Sequence, residues 1–459
     1  MTTNPGKGAL AGLAMAVLLA SLGTSIANVA LPALAHAFDA PFQTVQWVVI
    51  AYLLTVTALI AGAGRLGDLM GRRRLLLAGL ALFTLASALA ALAPTLCLLI
   101  AARALQGAGA AFLMTMPLAL ASDMVPKDRI GAAMGAMGTL SAIGTALGPS
   151  LGGVLAAGFG GQASFAAMAP LGLVAFVLAL RFLPAEPARG RLADFDLPGC
   201  LLLALALGAY ALAMTLGGGA FGALNIALLL GAAALLVLFV RFEAGRALPL
   251  IAPGLLADPS LRAGLAGSLL VAAVLMTTLV VGPFYLVLGL GLDAATAGLV
   301  MSAGPVVSAL TGIPAGRLVD RLGSPRATVA GLCGIGLGTA MLALLPAGLG
   351  IAGYVGPLMV TTAAYALFQA ANNARVMKGV APDRRGLVSG LLTLARNLGL
   401  VTGATAMGAV FALAAGLDAR GAGDMALGLR ATFLVAFGLV AAALAITRAG
   451  VSSSPAKAP

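Results

Sequence analysis

Gly64-Arg65-Leu66-Gly67-Asp68-Leu69-Met70-Gly71-Arg72-Arg73-Arg74 is a charged island between two long apolar runs. A related island recurs at Gly316-Arg317-Leu318-Val319-Asp320-Arg321-Leu322-Gly323-Ser324-Pro325-Arg326. Aligned without gaps, 252 residues apart, the two share six of eleven positions: both glycines, the first Arg, the Leu, the Asp and the last Arg. Self-similarity at a long period bears on architecture before any single helix is read. Here it implies two related halves with additional chain between them.

Working outward from the islands, the chain is built for lipid. It is 61% hydrophobic and 9% charged, with a mean hydropathy of +1.09. Soluble domains carry roughly a quarter charged residues. A bilayer core about 30 Å thick takes about 20 apolar residues per helix, and long runs without alternation exclude a barrel. The fold class is therefore all-α and polytopic. The 62 glycines suit close helix packing in lipid.

Charge-poor runs give spans at about 9–32, 46–64, 75–93, 96–122, 131–158 and 162–182. The run from 197 to 240 is too long for one helix, and Gly217-Gly218-Gly219 divides it. Further spans fall at about 261–290, 296–316, 327–345, 351–374, 385–415 and 431–447, making about fourteen. The expected organisation is a six-helix bundle over 1–184, a linker with two extra helices over 185–260, a second bundle over 261–448 and a short cytoplasmic tail over 449–459. The apolar run from Gly8 to Leu31 is longer than the core of a signal peptide, so it is expected to be an uncleaved first helix. If alternate loops face the cytoplasm, starting with the N-terminus, they receive nearly all the Lys and Arg, and the opposite loops only Arg420 and Arg430. The positive-inside rule then puts both termini in the cytoplasm.

Several function classes drop out. The net charge of +12 is spread over short loops, so no nucleic-acid surface forms. Cys97, Cys200 and Cys333 are far apart in apolar runs and give neither a disulfide framework nor a metal site. His36 follows Pro32 near a helix end and reads as an interfacial residue. No nucleophile, base or metal cluster can be assembled, so no enzyme and no cofactor is expected.

Each island has two readings, a basic loop or a specific latch between halves, and the second copy favours the latch. Gly64 and Gly71 permit a tight turn and close backbone approach. Asp68 can accept backbone N–H bonds or pair with an Arg. The island resembles the loop signature between helices two and three of the major facilitator superfamily of secondary transporters, although Leu69 stands where an Arg often follows the Asp. The resemblance implies a cytoplasmic latch carried by Gly64, Asp68, Gly71 and Arg72, with Gly316, Asp320 and Arg321 in the second copy.

Further motifs follow in the order that family has them. Arg103-Ala104-Leu105-Gln106-Gly107-Ala108-Gly109 lies deep in the fourth span, where a charge costs on the order of 3 kcal/mol. Arg103 must face the protein interior or snorkel to the outer interface. The resemblance gives it a role in proton transfer or in organising the cavity. Gly135, Gly144, Gly148, Pro149, Gly152 and Gly153 place small residues along one helix with a kinking proline. They match the signature associated with exporters, so export by antiport is implied.

Leu22-Gly23-Thr24-Ser25-Ile26-Ala27-Asn28-Val29-Ala30-Leu31-Pro32 looks like a signature of the fourteen-helix drug:proton antiporters, with Gly23 at the usual Asp and Ser25 at the usual Thr. No acidic residue falls in the middle of any span. Gln369, Asn372 and Asn373, and Arg396-Asn397-Leu398-Gly399, resemble the same subgroup. Asn28, Gln106, Gln369 and Asn397 either contact substrate or bond helix to helix, and Arg396 either lines the cavity or snorkels inward.

The function so implied is proton-coupled efflux of small amphipathic compounds from the cell inner membrane by a monomer, with neutral or anionic cargo favoured. An uptake permease, or a uniporter without proton coupling, is the alternative. The partners are the small-molecule substrate, the proton and the lipid bilayer. The topology has a direct check. With the three native cysteines replaced, a Cys at Ser324 should react with an impermeant maleimide only after cells are opened. Labelling in intact cells would reverse the orientation.

Overall fold

The computed structural model describes residues 6–124, 130–184, 196–216, 222–244, 258–344, 347–377, 385–416 and 424–452. Among them there is no strand. The long helices are α1 (Gly6–Ala37), α2 (Trp47–Met70), α3 (Arg72–Ala91), α4 (Leu96–Met124), α5 (Ile130–Phe159), α6 (Met168–Phe182) and α7 (Leu197–Thr215). They continue as α8 (Ala223–Ala244), α9 (Pro259–Phe284), α10 (Ala294–Leu322), α11 (Ser324–Leu344), α12 (Gly350–Met377), α13 (Arg385–Thr402) and α14 (Met425–Ser452). Among the described residues thirteen spans are long and apolar enough to cross a bilayer; α5 contributes a shorter apolar stretch, Ile143–Phe159. A π-helical turn, Tyr285–Gly289, extends α9, and another, Gly403–Met407, joins α13 to Gly408–Ala415.

The islands are more helical than a turn reading suggests. α2 runs through Gly64 to Met70, and α3 begins at Arg72. Gly64 sits inside α2 with open space beside it and makes no turn. The break is Gly71 alone, at φ 93°, and its N–H still bonds the Gly67 carbonyl at 2.9 Å. In the second copy α10 runs to Leu322, Gly323 breaks the chain at φ 77°, and α11 starts at Ser324. A positive φ is cheap only for glycine. Basic and acidic side chains keep these segments polar without unwinding them, because Arg and Leu both favour helix. The expected split between 197 and 240 appears as the ends of α7 and α8; Gly217-Gly218-Gly219 lie outside the described residues. Within the region expected to link the bundles, 185–260, the second helix runs on through Arg241, Phe242 and Glu243 to Ala244.

Contacts divide the chain into two compact units, residues 1–208 with 293–302, and residues 209–292 with 303–459. In the first, α1 packs most extensively on α5, and α4 on α2 and α3. In the second, α11 packs on α12, and α9 on α13 and α14. Both units join their helices by the same device. A Cβ at Gly79 of α3 would lie 2.8 Å from Phe112 Cβ of α4, and one at Gly331 of α11 would lie 2.7 Å from the Phe368 backbone N of α12. These glycines stand 252 residues apart, the offset of the islands.

α8 shows what faces lipid. Only 11% of its apolar window is buried, and Leu224, Ile226 and Leu230 are 62%, 56% and 67% exposed. An apolar helix face this widely exposed is stable only in hydrocarbon. Asn225 fastens its start. Its side-chain amide donates to the Ala213 and Leu216 carbonyls at 2.8 and 2.9 Å, and its oxygen accepts from Gly222 N–H at 3.0 Å. At the head of α10, Asp293 accepts from Thr296 Oγ1 at 2.6 Å and from Thr296 N–H at 2.9 Å. These bonds, the hydroxyl's first, hold its carboxyl below the usual carboxylate range. The cap is therefore in place at neutral pH and is lost as acid protonates the carboxylate.

Glycine packing sets a stability test. Gly331→Leu drives side-chain atoms into the α12 backbone, whereas Gly231→Leu on α8 meets open space. Overpacking costs about 1–3 kcal/mol or more. Thermal denaturation of the detergent-purified chain should show a clear drop for the first and little change for the second.

Candidate functional site

Arg103 is the most buried charge among the described residues, with no exposed surface. α4 carries it inside the first unit, where bilayer and protein both exclude water. Its Nε donates to the Val48 carbonyl of α2 at 2.8 Å, and its Nη2 to the Gly23 carbonyl of α1 at 3.0 Å. Nη1 donates to Gln106 Oε1 one turn on. The guanidinium carbon lies 4.3 Å from the Tyr52 ring centroid and 5.4 Å from that of Phe165. No carboxylate among the described residues completes the shell. A buried guanidinium without a counter-ion is tolerable when acceptors and π-faces replace water.

That shell explains Gly23. A Cβ there would stand 3.0 Å from the Tyr52 hydroxyl and 3.2 Å from the Phe83 ring. The absent side chain lets the α1 carbonyl reach the guanidinium while Tyr52 donates to the Ala20 carbonyl at 2.9 Å. Gln106 passes the network onward, its Nε2 donating to Ser87 Oγ at 2.7 Å. Gly107 then brings α4 onto the Tyr52 backbone, where a Cβ would lie 2.5 Å from the carbonyl oxygen. Sequence reasoning named Arg103 and Gln106 but missed Tyr52, Ser87 and Phe165. Each lies on a different helix, and no local motif ties them together.

Asn28 is also buried, but it bonds within its own helix, to the Thr24 and Ser25 carbonyls at 3.0 and 3.2 Å. Its Oδ1 has no partner among the described residues. The glycine face of α5 rests on α1. Cβ atoms at Gly144 and Gly152 would lie 2.5 Å from the Leu18 and Ile26 carbonyl oxygens, and one at Gly148 would strike the Ser25 side chain. Pro149 lies within the helix, and Gly153 faces Ala294 and Gly298. The surroundings of Gly135 lie outside the described residues. The second unit repeats the contact: Gly399 and Gly403 of α13 and its π-turn lie on the Leu269 and Ala273 carbonyls of α9. Gly403 was not singled out from sequence.

At the islands, Arg72 Nη1 donates to the Ala119 carbonyl at 3.4 Å and Arg73 Nη2 to the Leu180 carbonyl at 2.8 Å. These bonds tie α3 to α4 and α6. The Asp68 side chain lies outside the described residues, Gly316 has no neighbour, and Asp320 and Arg321 are exposed.

The second unit holds a cavity of about 150 Å³ lined by Ser268, Tyr365, Phe368, Gln369, Asn373, Met377, Leu392, Thr393 and Arg396. Here Gln369 and Arg396 meet, from α12 and α13. Asn397 points elsewhere and is buried, with its Nδ2 lacking a partner among the described residues. Asn372 fixes the wall by donating to the Gly264 carbonyl at 3.0 Å and to Ser268 Oγ at 2.9 Å.

Comparison with known proteins agrees with this architecture. A family profile described as Major Facilitator Superfamily matches residues 13–404. Riboflavin transporter RibZ of Clostridioides difficile is 30% identical over 410 residues, covering 87% of each chain. Multidrug resistance protein Stp of Mycobacterium tuberculosis is 33% identical over 402 residues, covering 85% of this chain and 73% of that one. Among solved structures, a bacterial homologue of the human lysosomal transporter Spinster superposes with a TM-score of 0.72 at 18% identity, covering 99% of this chain and 100% of that one.

The Arg103 shell yields a measurement. Arg103→Ala leaves two carbonyls and the Gln106 oxygen without a donor, at a cost of about 3 kcal/mol or more. Arg103→Lys should recover only part, because one ammonium cannot serve three divergent acceptors. Melting temperatures in mild detergent should fall in the order wild type, Lys, Ala.

Proposed function

This chain belongs to the major facilitator superfamily, and on that premise we propose that it exports small amphipathic compounds across the cell inner membrane by proton antiport. The polytopic transporter is given by the family match; direction, cargo and coupling are our reading. One observation carries it: the relation, at 33% identity over 402 residues, to a protein named for multidrug resistance. The glycine face of α5 supports it, since that pattern resembles the exporter signature and the helix rests on α1 through it. The fourteen-helix drug:proton antiporter subgroup, a monomeric state and cytoplasmic termini belong to the same proposal.

On this reading the halves open alternately to the two sides. Arg103 serves as a fixed cationic post that ties α1, α2 and α4 together through its bonds to the Gly23 and Val48 carbonyls. Asp68 and Arg72, with Gly316, Asp320 and Arg321, serve as the cytoplasmic latch. Gln369 and Arg396 present polar groups to cargo. The coupling proton is then carried by a group near a helix end, because no acidic residue lies at mid-span.

A second reading, uptake or uniport without a proton, has a specific support in the relation to a riboflavin transporter, 30% identical over 410 residues. Everted membrane vesicles separate the two. Proton antiport predicts that a transported toxic compound releases part of an imposed pH gradient, and that an uncoupler abolishes both its accumulation and the resistance of expressing cells. Accumulation indifferent to the gradient would sustain the second reading and end the first.

A further inference from the structure

The cavity between α9, α12 and α13 carries a chemistry that its position in a membrane helix bundle does not require. Arg396 lies five residues into the apolar span Leu391–Ala415, yet it is exposed to the cavity and not packed away. Among the described residues it has no hydrogen-bond or ion-pair partner, and no acidic residue lines the cavity. This differs from Arg103, whose donors are consumed by carbonyls. Gln369 and Asn373 sit one turn apart on α12 and face the same space with Arg396. Phe368, from the same helix, and Leu392, from α13, provide apolar walls. Asn372 points the other way, bonding Gly264 and Ser268, and so keeps the α12 face in register with α9.

A guanidinium exposed to a cavity, beside two amide side chains and the aromatic residues Tyr365 and Phe368, is complementary to a planar organic anion. We propose that this cavity is a recognition subsite for amphipathic organic acids: the anionic head sits on Arg396 with Gln369 and Asn373, and the flat apolar body lies along Phe368 and Leu392. The inference rests on the transporter reading above and narrows its cargo to anions. An anionic phospholipid headgroup offers the same charge, so the test separates the two sources.

The full chain is reconstituted in phosphatidylcholine discs, and binding of 2-naphthoate, 2-naphthalenesulfonate and 2-naphthylphosphonate is compared with that of neutral 2-naphthamide. Wild type should prefer at least one acid over the amide by about tenfold, which corresponds to about 1.4 kcal/mol. Arg396→Gln should bring that ratio to about one, and Arg396→Lys should keep part of it. A melting temperature in the same discs that matches wild type shows that each variant is folded. A ratio near one in wild type, no saturable binding of any of the three acids, or a preference that survives Arg396→Gln overturns the subsite. So does a variant that loses only co-purifying phosphatidylglycerol. Export of a neutral dye is scored separately. Its absence with the ratio intact tells against efflux, and its presence with no charge preference tells against the subsite alone.

Discussion

Hydrocarbon offers no hydrogen bonds, and that deficit governs how this chain can place a charge. Arg103 meets it with backbone. Two of its donors end on carbonyls of neighbouring helices, and its flat face lies over Tyr52. Each contact fixes a distance between helices, so the cation works as a spacer as well as a charge. The missing Cβ at position 23 belongs to the same packing, because one there would press on the Tyr52 hydroxyl and the Phe83 ring. Within the second unit, Tyr354 donates to the Thr278 carbonyl at 3.2 Å, another side chain bridging helices by reaching main chain.

The rest of the packing obeys the complementary rule, that helices in lipid gain by approaching closely. α1 lies on the glycines of α5, α9 on those of α13, α3 on α4 and α11 on α12. On the exposed face of α8 the surface is left to Leu, Ile and Val. Arg396 departs from both patterns. Among the described residues it is a cation with no hydrogen-bond partner, beside a cavity that Gln369, Asn373, Phe368 and Leu392 line, and that contrast with Arg103 sets it apart from a structural charge.

Much of this was legible in the chain itself, for physical reasons. Span positions follow from solvent transfer, which sums over about twenty residues and tolerates local error. The duplicated islands revealed two halves because Gly71 and Gly323 need a backbone conformation that other residues resist. What was not legible depends on three dimensions. The residue type at Gly64 suggests a turn, but helix propensity in the flanking residues carries α2 through it. Tyr52, Ser87 and Phe165 join Arg103 only after three further elements assemble, and their sequence neighbours give no hint. Asn28 was open to substrate contact or to a bond between helices, and that its amide nitrogen bonds its own helix could not be read from the sequence.

The one-residue breaks at Gly71 and Gly323 have a consequence for evolution and for motion. With a lone glycine between two rods, there is no slack to absorb a change in length. Adding a single residue at either junction would turn the following rod by about 100° about its long axis, since a helix completes a turn in about 3.6 residues. Such a rotation would carry Gly79 or Gly331 off the facing backbone and put a bulky neighbour in its place. The spacing from island to packing glycine is therefore locked in phase, which accounts for both pairs keeping the same 252-residue separation.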